Sequence, residues 1–157
     1  MMASEVSPDN DGEQARRQGN MAVLARADAA ALLAHWQSWP QPPTFKLARG
    51  PETGLVMVRG RAGGGGAPFN LGEATVTRAT VRLDSGEIGH SYALGRDGEK
   101  AKIAAVLDAL WQRPADRSAV EALIAELDQA ADTADQKRRQ ETAATRVNFF
   151  TMVRGDD

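Results

Sequence analysis

Five arginines, Arg59, Arg61, Arg78, Arg82 and Arg96, fall in the middle third of the 157-residue chain. A guanidinium presents a fork of donors that matches phosphate oxygens, so a group of this kind is a candidate polyanion site. Charge is distributed to suit: residues 44–96 carry 7 basic and 4 acidic side chains, while the remainder carries 12 basic and 17 acidic. The competing reading is that these arginines decorate ordinary solvated strand faces. The loop Arg61-Ala62-Gly63-Gly64-Gly65-Gly66-Ala67-Pro68 invites a phosphate cradle, because glycines let backbone N–H groups approach an anion. No G-K-[ST] follows and the next element reads as a strand, so a flexible connection is expected instead of a Walker-type loop. Gly89-His90-Ser91-Tyr92-Ala93 has the look of a nucleophile elbow. Ser91 sits inside an alternating strand pattern, however, and no His follows it, which argues against a serine hydrolase. His35 and His90 are the only histidines, too few for a His-rich metal site, and His90 reads as a strand histidine. With no Cys there is no thiolate nucleophile, disulfide framework or Cys-based zinc site. Asp97 reads as a helix cap ahead of a catalytic acid. A metal or a cofactor held by this chain alone is not expected.

The elements that must position these residues change period along the chain. Residues 1–11 are polar and are expected to form a disordered tail. Glu13–Ala25 is weakly helical. Asp28 can cap a second helix with Ala29, Leu32, Leu33 and Trp36 on one face, ended by Pro40, Pro42 and Pro43, and the Trp36/Trp39 pair reads as core cover. Period-two alternation then predicts four strands: around Phe45–Leu47, Leu55–Val58, Thr75–Leu83 and Ile88–Leu94. Asp84-Ser85-Gly86 is short enough to make the last two antiparallel. Asp97 can cap a helix with the stripe Ile103, Val106, Leu107, Leu110 and Trp111, broken at Pro114. Ser118 and Glu121 read as a capping box for a last helix bearing Val120, Leu123, Ile124 and Leu127. Residues 128–145 carry only Ala and polar or charged side chains, so this stretch packs through an Ala face or projects toward another chain. The expectation is a single α+β domain over 12–145, a small antiparallel sheet of about four strands flanked by N-terminal and C-terminal helices, followed by an extended apolar tail over 146–157.

That tail, Arg146-Val147-Asn148-Phe149-Phe150-Thr151-Met152-Val153-Arg154, holds two of the four Phe residues. A β-prone apolar terminus is either an added strand or a segment given to a partner. Arg146, Phe149, Phe150, Met152, Val153 and Arg154 are therefore candidate interface residues. Composition points the same way. Ala accounts for 28 residues, whereas Leu, Ile, Val and Phe together number only 29. This is either a small domain with a thin core or a subunit that completes its core against a partner. The net charge of −2 exerts no global pull toward nucleic acid or anionic lipid. No apolar run approaches the roughly 18 residues of a membrane span, and the polar acidic N-terminus lacks a secretory pattern, so a cytoplasmic protein is expected.

The ending Arg146-Val147-x-Phe149-Phe150-Thr151-Met152-Val153-Arg154-Gly155 resembles that of the PhnG family of the bacterial carbon–phosphorus lyase system. Glu52-Thr53-Gly54-Leu55, Arg61-x-Gly63-Gly64-x-Gly66, Thr75-x-Thr77-Arg78-x-x-Val81-Arg82-Leu83 and Gly95-Arg96-Asp97 with Asp108-Ala109-Leu110 agree in the same order. Asn20, Lys100 and Glu126 depart from the pattern, standing where relatives carry Trp, His and Pro. The resemblance implies a subunit of the core complex of organic phosphonate catabolism. With sister subunits PhnH, PhnI and PhnL, such a subunit assists displacement of adenine from ATP by methylphosphonate, giving α-D-ribose 1-methylphosphonate 5-triphosphate, and PhnJ is implied as a further partner in the core complex. ATP and the alkylphosphonate would be substrates of the complex, and this chain, lacking Cys, cannot ligate the iron–sulfur cluster of the radical subunit. An assembly and site-completing role is expected. The alternative is a non-catalytic scaffold or regulatory binding module outside any enzyme.

Overall fold

The computed structural model describes residues 8–144. Chain order is α1 (Pro8–Arg26), α2 (Ala29–Gln37), β1 (Phe45–Arg61), a short 3-10 turn (Ala62–Gly64), β2 (Pro68–Leu83), β3 (Ile88–Leu94), α3 (Gly98–Trp111) and α4 (Pro114–Ala144). The three strands form one antiparallel sheet in the order β1-β2-β3. The α+β class is as expected, but the strand count is three. The segments expected as two strands, around Phe45–Leu47 and Leu55–Val58, are one 17-residue strand. It runs through Gly50-Pro51-Glu52 by shifting register against β2 between Arg49 and Glu52. Gly50 adopts φ +70° there, and a Cβ at that position would lie 2.8 Å from the Arg78 carbonyl oxygen, so the detour depends on glycine.

The helix boundaries also refine the expectation. Helix α1 begins at Pro8, inside the stretch expected as a tail, and proline fits a first helical turn because it has no N–H to leave unpaired. Asp28 caps α2 by accepting from Ala31 N at 2.9 Å, and Asp97 caps α3 by accepting from Lys100 N at 2.9 Å. Helix α4 starts at Pro114, so Ser118 lies inside it and the expected capping box does not form. The Glu121 carboxylate instead accepts from Trp111 Nε1 and Arg16 Nη2, both at 3.1 Å.

All four helices lie toward one face of the sheet. Thr77, Ala79, Val81 and Leu83 of β2 and Ser91 and Ala93 of β3 point into the core. There they meet α3, whose Ala101, Ile103, Ala104, Ala105, Val106, Leu107, Ala109, Leu110 and Trp111 are all buried. Alanines on α3 permit close approach to the sheet. At Gly89 a Cβ would fall inside the Ala105 carbonyl oxygen and 2.6 Å from Ala109 N. Leu24, Leu32, Val120, Leu123, Ile124 and Leu127 close the core from α1, α2 and α4. Trp36 and Trp39 stack at 6.3 Å and cover its edge, as expected. Beyond Leu127, α4 buries nothing and carries the pairs Asp135–Arg139 and Lys137–Glu141.

The opposite face of the sheet is open. Arg78 and Arg82 of β2 and Ile88, His90, Tyr92 and Leu94 of β3 are exposed on it. The pairing of β2 with β3 extends only from Val76 to Arg82. Residues 55–61 and 68–75 therefore continue past the body of the sheet as a two-stranded arm, paired with each other apart from the Gly95 N–H donating to the Thr75 carbonyl at the base, and closed by the glycine-rich turn.

Candidate functional site

On the open face, Glu52 lies opposite Arg78, which lies opposite Tyr92. The Glu52 carboxylate accepts from Arg49 Nε at 3.1 and 3.2 Å and from Arg78 Nε at 3.1 Å, with Arg78 Nη2 at 3.0 Å. These bonds, Arg49's first and then Arg78's, hold the Glu52 carboxyl below the usual carboxylate range. Near neutral pH it is an anion that orients two guanidiniums, not a proton donor. A shallow depression beside it is lined by Thr53, Gly54, Val76, Arg78 and Tyr92. Underneath, Thr77 Oγ1 donates to the Gly95 carbonyl at 2.7 Å. Its single proton is thereby used, so the 3.0 Å contact between the two hydroxyls has Thr53 donating to Thr77. These bonds tie β1 and β2 to the turn that carries Arg96.

The five arginines do not form one cluster. Arg78 and Arg82 share the open face, as alternation requires, about 13 Å apart along β2. Arg59 pairs with Asn70, which lies 12 residues and about 40 Å from Arg82 along the same strand. Arg61 sits at the arm tip, its Nη1 donating to the Gly66 carbonyl at 3.3 Å. Arg96 is exposed in the turn after β3. Lys46, paired with Arg82, and Arg49, paired with Thr80, join Arg78 and Arg82 at the base of the face. Sequence reasoning missed these two, although both lie in the same basic segment. His90 stands there too, its Nδ1 3.2 Å from Thr80 Oγ1. This base holds four cations and the Glu52 carboxylate, with Asp84 beside Lys46 and Arg82, a net positive charge that suits an anionic group. Residues 146–157, with the candidate interface residues, lie outside the described region.

A second polar centre is buried on the other side. Asp108, on the apolar stripe of α3, receives Arg17 Nε at 2.9 Å on Oδ1 and Arg17 Nη2 at 2.7 Å on Oδ2. It also receives the His90 backbone N–H at 2.8 Å. Arg17 Nη2 and Gln112 Nε2 donate to the Ile88 carbonyl at 3.0 and 2.7 Å. The start of the outer edge of β3, at Ile88 and His90, is therefore occupied by side chains. The Asp108 carboxylate raises the pKa of Arg17 further, outweighing the effect of burial. An acid within a helical apolar stripe was the available signal for this centre, though not for its partner 91 residues away. Nearby, Glu13, Gln14, Arg17, Gln18, His90, Trp111 and Arg117 line a cleft of about 490 Å³. Lys100 crosses to the end of α1, donating to the Ala25 carbonyl at 2.8 Å, and burial lowers its pKa. Among the described residues, no group of three or more His, Cys, Asp or Glu could hold a metal ion, and no helix is long and apolar enough to cross a membrane.

The arrangement supplies anion-holding groups and buried structural ties, and the hydroxyl–imidazole pair described on the open face is Thr80 with His90. Comparison with known proteins agrees with the motif order read from the chain. The family model described as phosphonate metabolism protein PhnG matches residues 15–155. A curated relative from Rhizobium meliloti (strain 1021), named alpha-D-ribose 1-methylphosphonate 5-triphosphate synthase subunit PhnG, is 53% identical over 157 residues, covering 100% of both chains. On the family match and the end-to-end identity together, this chain belongs to the PhnG family of phosphonate metabolism.

Proposed function

We propose that the chain is a subunit of the carbon–phosphorus lyase core complex, assisting displacement of adenine from ATP by an alkylphosphonate such as methylphosphonate. The observation that carries this reading is end-to-end identity with a relative named as a subunit of the 5-triphosphate synthase. In that reaction a phosphonate oxygen attacks C1′ of the ribose as the bond to adenine breaks, and adenine leaves with the bonding pair and takes up a proton. Positive charge develops on the sugar while the triphosphate and phosphonate bring negative charge. Guanidiniums fixed before the reaction are suited to that load. The base of the open face, with Lys46, Arg49, Arg78 and Arg82 around Glu52, is the surface this chain would contribute, and the bond-making groups would come from a sister subunit. ATP and the phosphonate are substrates of the assembled complex, in the cytoplasm, and the partners are PhnH, PhnI, PhnJ and PhnL.

The test is reconstitution of the chain with those sister subunits and measurement of adenine released from ATP in the presence of methylphosphonate. Arg78→Ala is expected to lower turnover at least tenfold while the complex still forms. Unchanged turnover would return Arg78 to a solvated strand position. The tail enters the same reading. Burying a Phe side chain contributes roughly 1.5–3 kcal/mol, so Phe149, Phe150, Met152 and Val153 add a useful but insufficient anchor. Deleting 146–157 is expected to abolish assembly and leave helical circular dichroism intact. A truncated chain that still assembles and supports growth on phosphonate would remove the tail, with Arg146 and Arg154, from the interface.

A further inference from the structure

The arm formed by 55–61 and 68–75 exposes large apolar side chains on both of its faces. Leu55 is 62% exposed and Met57 53%, on the face that continues into the core side of the sheet. Leu71 is 61% exposed and Phe69 47%, with Val58, on the face that continues into the open side. Gly60 pairs with Phe69, and Leu71 lies across Gly60, where a Cβ would come within 2.5 Å of Leu71 Cδ1. Among the described residues no helix covers either face. A two-stranded ribbon is marginal in water, and an apolar surface of this size is a mark of an interaction site.

Two features identify the occupant. Apolar residues on both faces require a cleft that wraps the ribbon, not a flat surface against one side. The arm is also cationic, with Arg59 and Arg61 near the tip against Glu73 alone. The depressions of a second copy of this chain carry cations of their own, a poor match for Arg59 and Arg61. Arg17 and Arg117 stand in the cleft that Glu13, Met21 and Trp111 also line, Arg138 and Arg139 in the depression near the end of α4, and Arg16 in the one lined by Val23, Ile124, Glu121 and Asp128. We propose that the β1–β2 arm inserts into an apolar, carboxylate-rimmed cleft of a different polypeptide, a sister subunit of the synthase. The identity of that polypeptide rests on the reading above; the apolar walls and acidic rim follow from the arm itself.

The experiment compares the full wild-type chain with Phe69→Asp/Leu71→Asp and with Arg59→Glu/Arg61→Glu in association with the co-expressed sister subunits. All four side chains are exposed, so both variants are expected to keep the wild-type melting temperature and helical signal. The first should weaken association at least tenfold. The second should weaken it comparably and flatten its dependence on salt. Hydrogen exchange on the wild-type complex gives a readout free of variants: amides of 55–61 and 68–75 should slow at least tenfold on assembly. Variants that assemble like wild type, or arm amides whose exchange is unchanged, overturn the inference and leave the subunit reading standing. A chain that dimerises alone through Phe69 and Leu71, and binds its sister subunits without them, overturns it in favour of a second copy. Failure of the wild-type chain to associate at all overturns the subunit reading, and the inference with it.

Discussion

Asp108 and Glu52 are both carboxylates held by arginine, yet they stand for different physics. Asp108 is 2% exposed and receives three donors. Removing one partner of a buried pair commonly costs about 3–5 kcal/mol, because the remaining charge is stranded. Arg17 is partly solvated, with 29% of its side chain exposed, so the lower end applies. Asp108→Ala is expected to destabilise the fold by about 3 kcal/mol in denaturant unfolding, with a double-mutant cycle against Arg17→Ala showing strong coupling. Glu52 is exposed, and its effect is a matter of pH. Its folded-state pKa is lowered, so its contribution to stability is present above the ordinary carboxylate pKa and is lost as pH falls through the folded value. Following the Glu52 carboxyl by NMR should give a midpoint below the ordinary value. Arg49→Ala should raise it more than Arg78→Ala, because the Arg49 hydrogen bond is the larger cause. Asp97 and Asp28 were legible in the sequence as caps because a cap is a local device, three residues from its donor. The Asp108–Arg17 tie was not, because it joins residues whose proximity exists only after α1, α3 and β3 have packed.

At the scale of elements, the close contact of α3 with β3 depends on the absence of a side chain at Gly89. Gly89→Ala places a methyl against helix backbone, which cannot yield as a flexible side chain would. Overpacking of this kind costs typically 1–3 kcal/mol and occasionally more. A lowered melting temperature with loss of packing between the helix and the sheet should follow. Gly54→Ala, where a Cβ meets nothing within 4 Å, should be close to neutral and serves as the control. Helices α2 and α3 were legible because their apolar spacing and their caps agree. The strands were legible where one face is buried, as from Val76 to Leu83, since burial imposes alternation. On the arm neither face is buried by the described residues, so alternation carries no signal, and Gly50-Pro51 interrupts the period-two pattern between Phe45–Leu47 and Leu55–Val58. Two strands were therefore expected where β1 is continuous. The edges of the sheet differ as well. Side chains of Arg17, Gln112 and Asp108 occupy the Ile88 carbonyl and the His90 N–H, which blocks pairing with another chain at that end of the β3 edge.

The described residues divide into a helical layer that encloses the apolar core against one face of the sheet and a sheet whose other face and arm they leave uncovered. The sequence-level alternatives, a thin core or a core completed by a partner, resolve into a spatial separation. The body is filled by α3 and its neighbours, while the uncovered apolar side chains gather mainly on the sheet and arm. The same division has an optical consequence. Every tryptophan of the chain, Trp36, Trp39 and Trp111, belongs to the helical layer, and none lies on the sheet. Intrinsic fluorescence is thus a gauge of the packed body and is blind to what happens at the arm. Melting should red-shift the emission as Trp111, 2% exposed, reaches water. Engagement of the arm should leave the native spectrum of this chain unmoved. Phe69→Trp would add a chromophore where the wild-type protein has none, and its emission should move to shorter wavelength as a partner closes around it, so that folding and docking could be followed as separate colours in one cuvette.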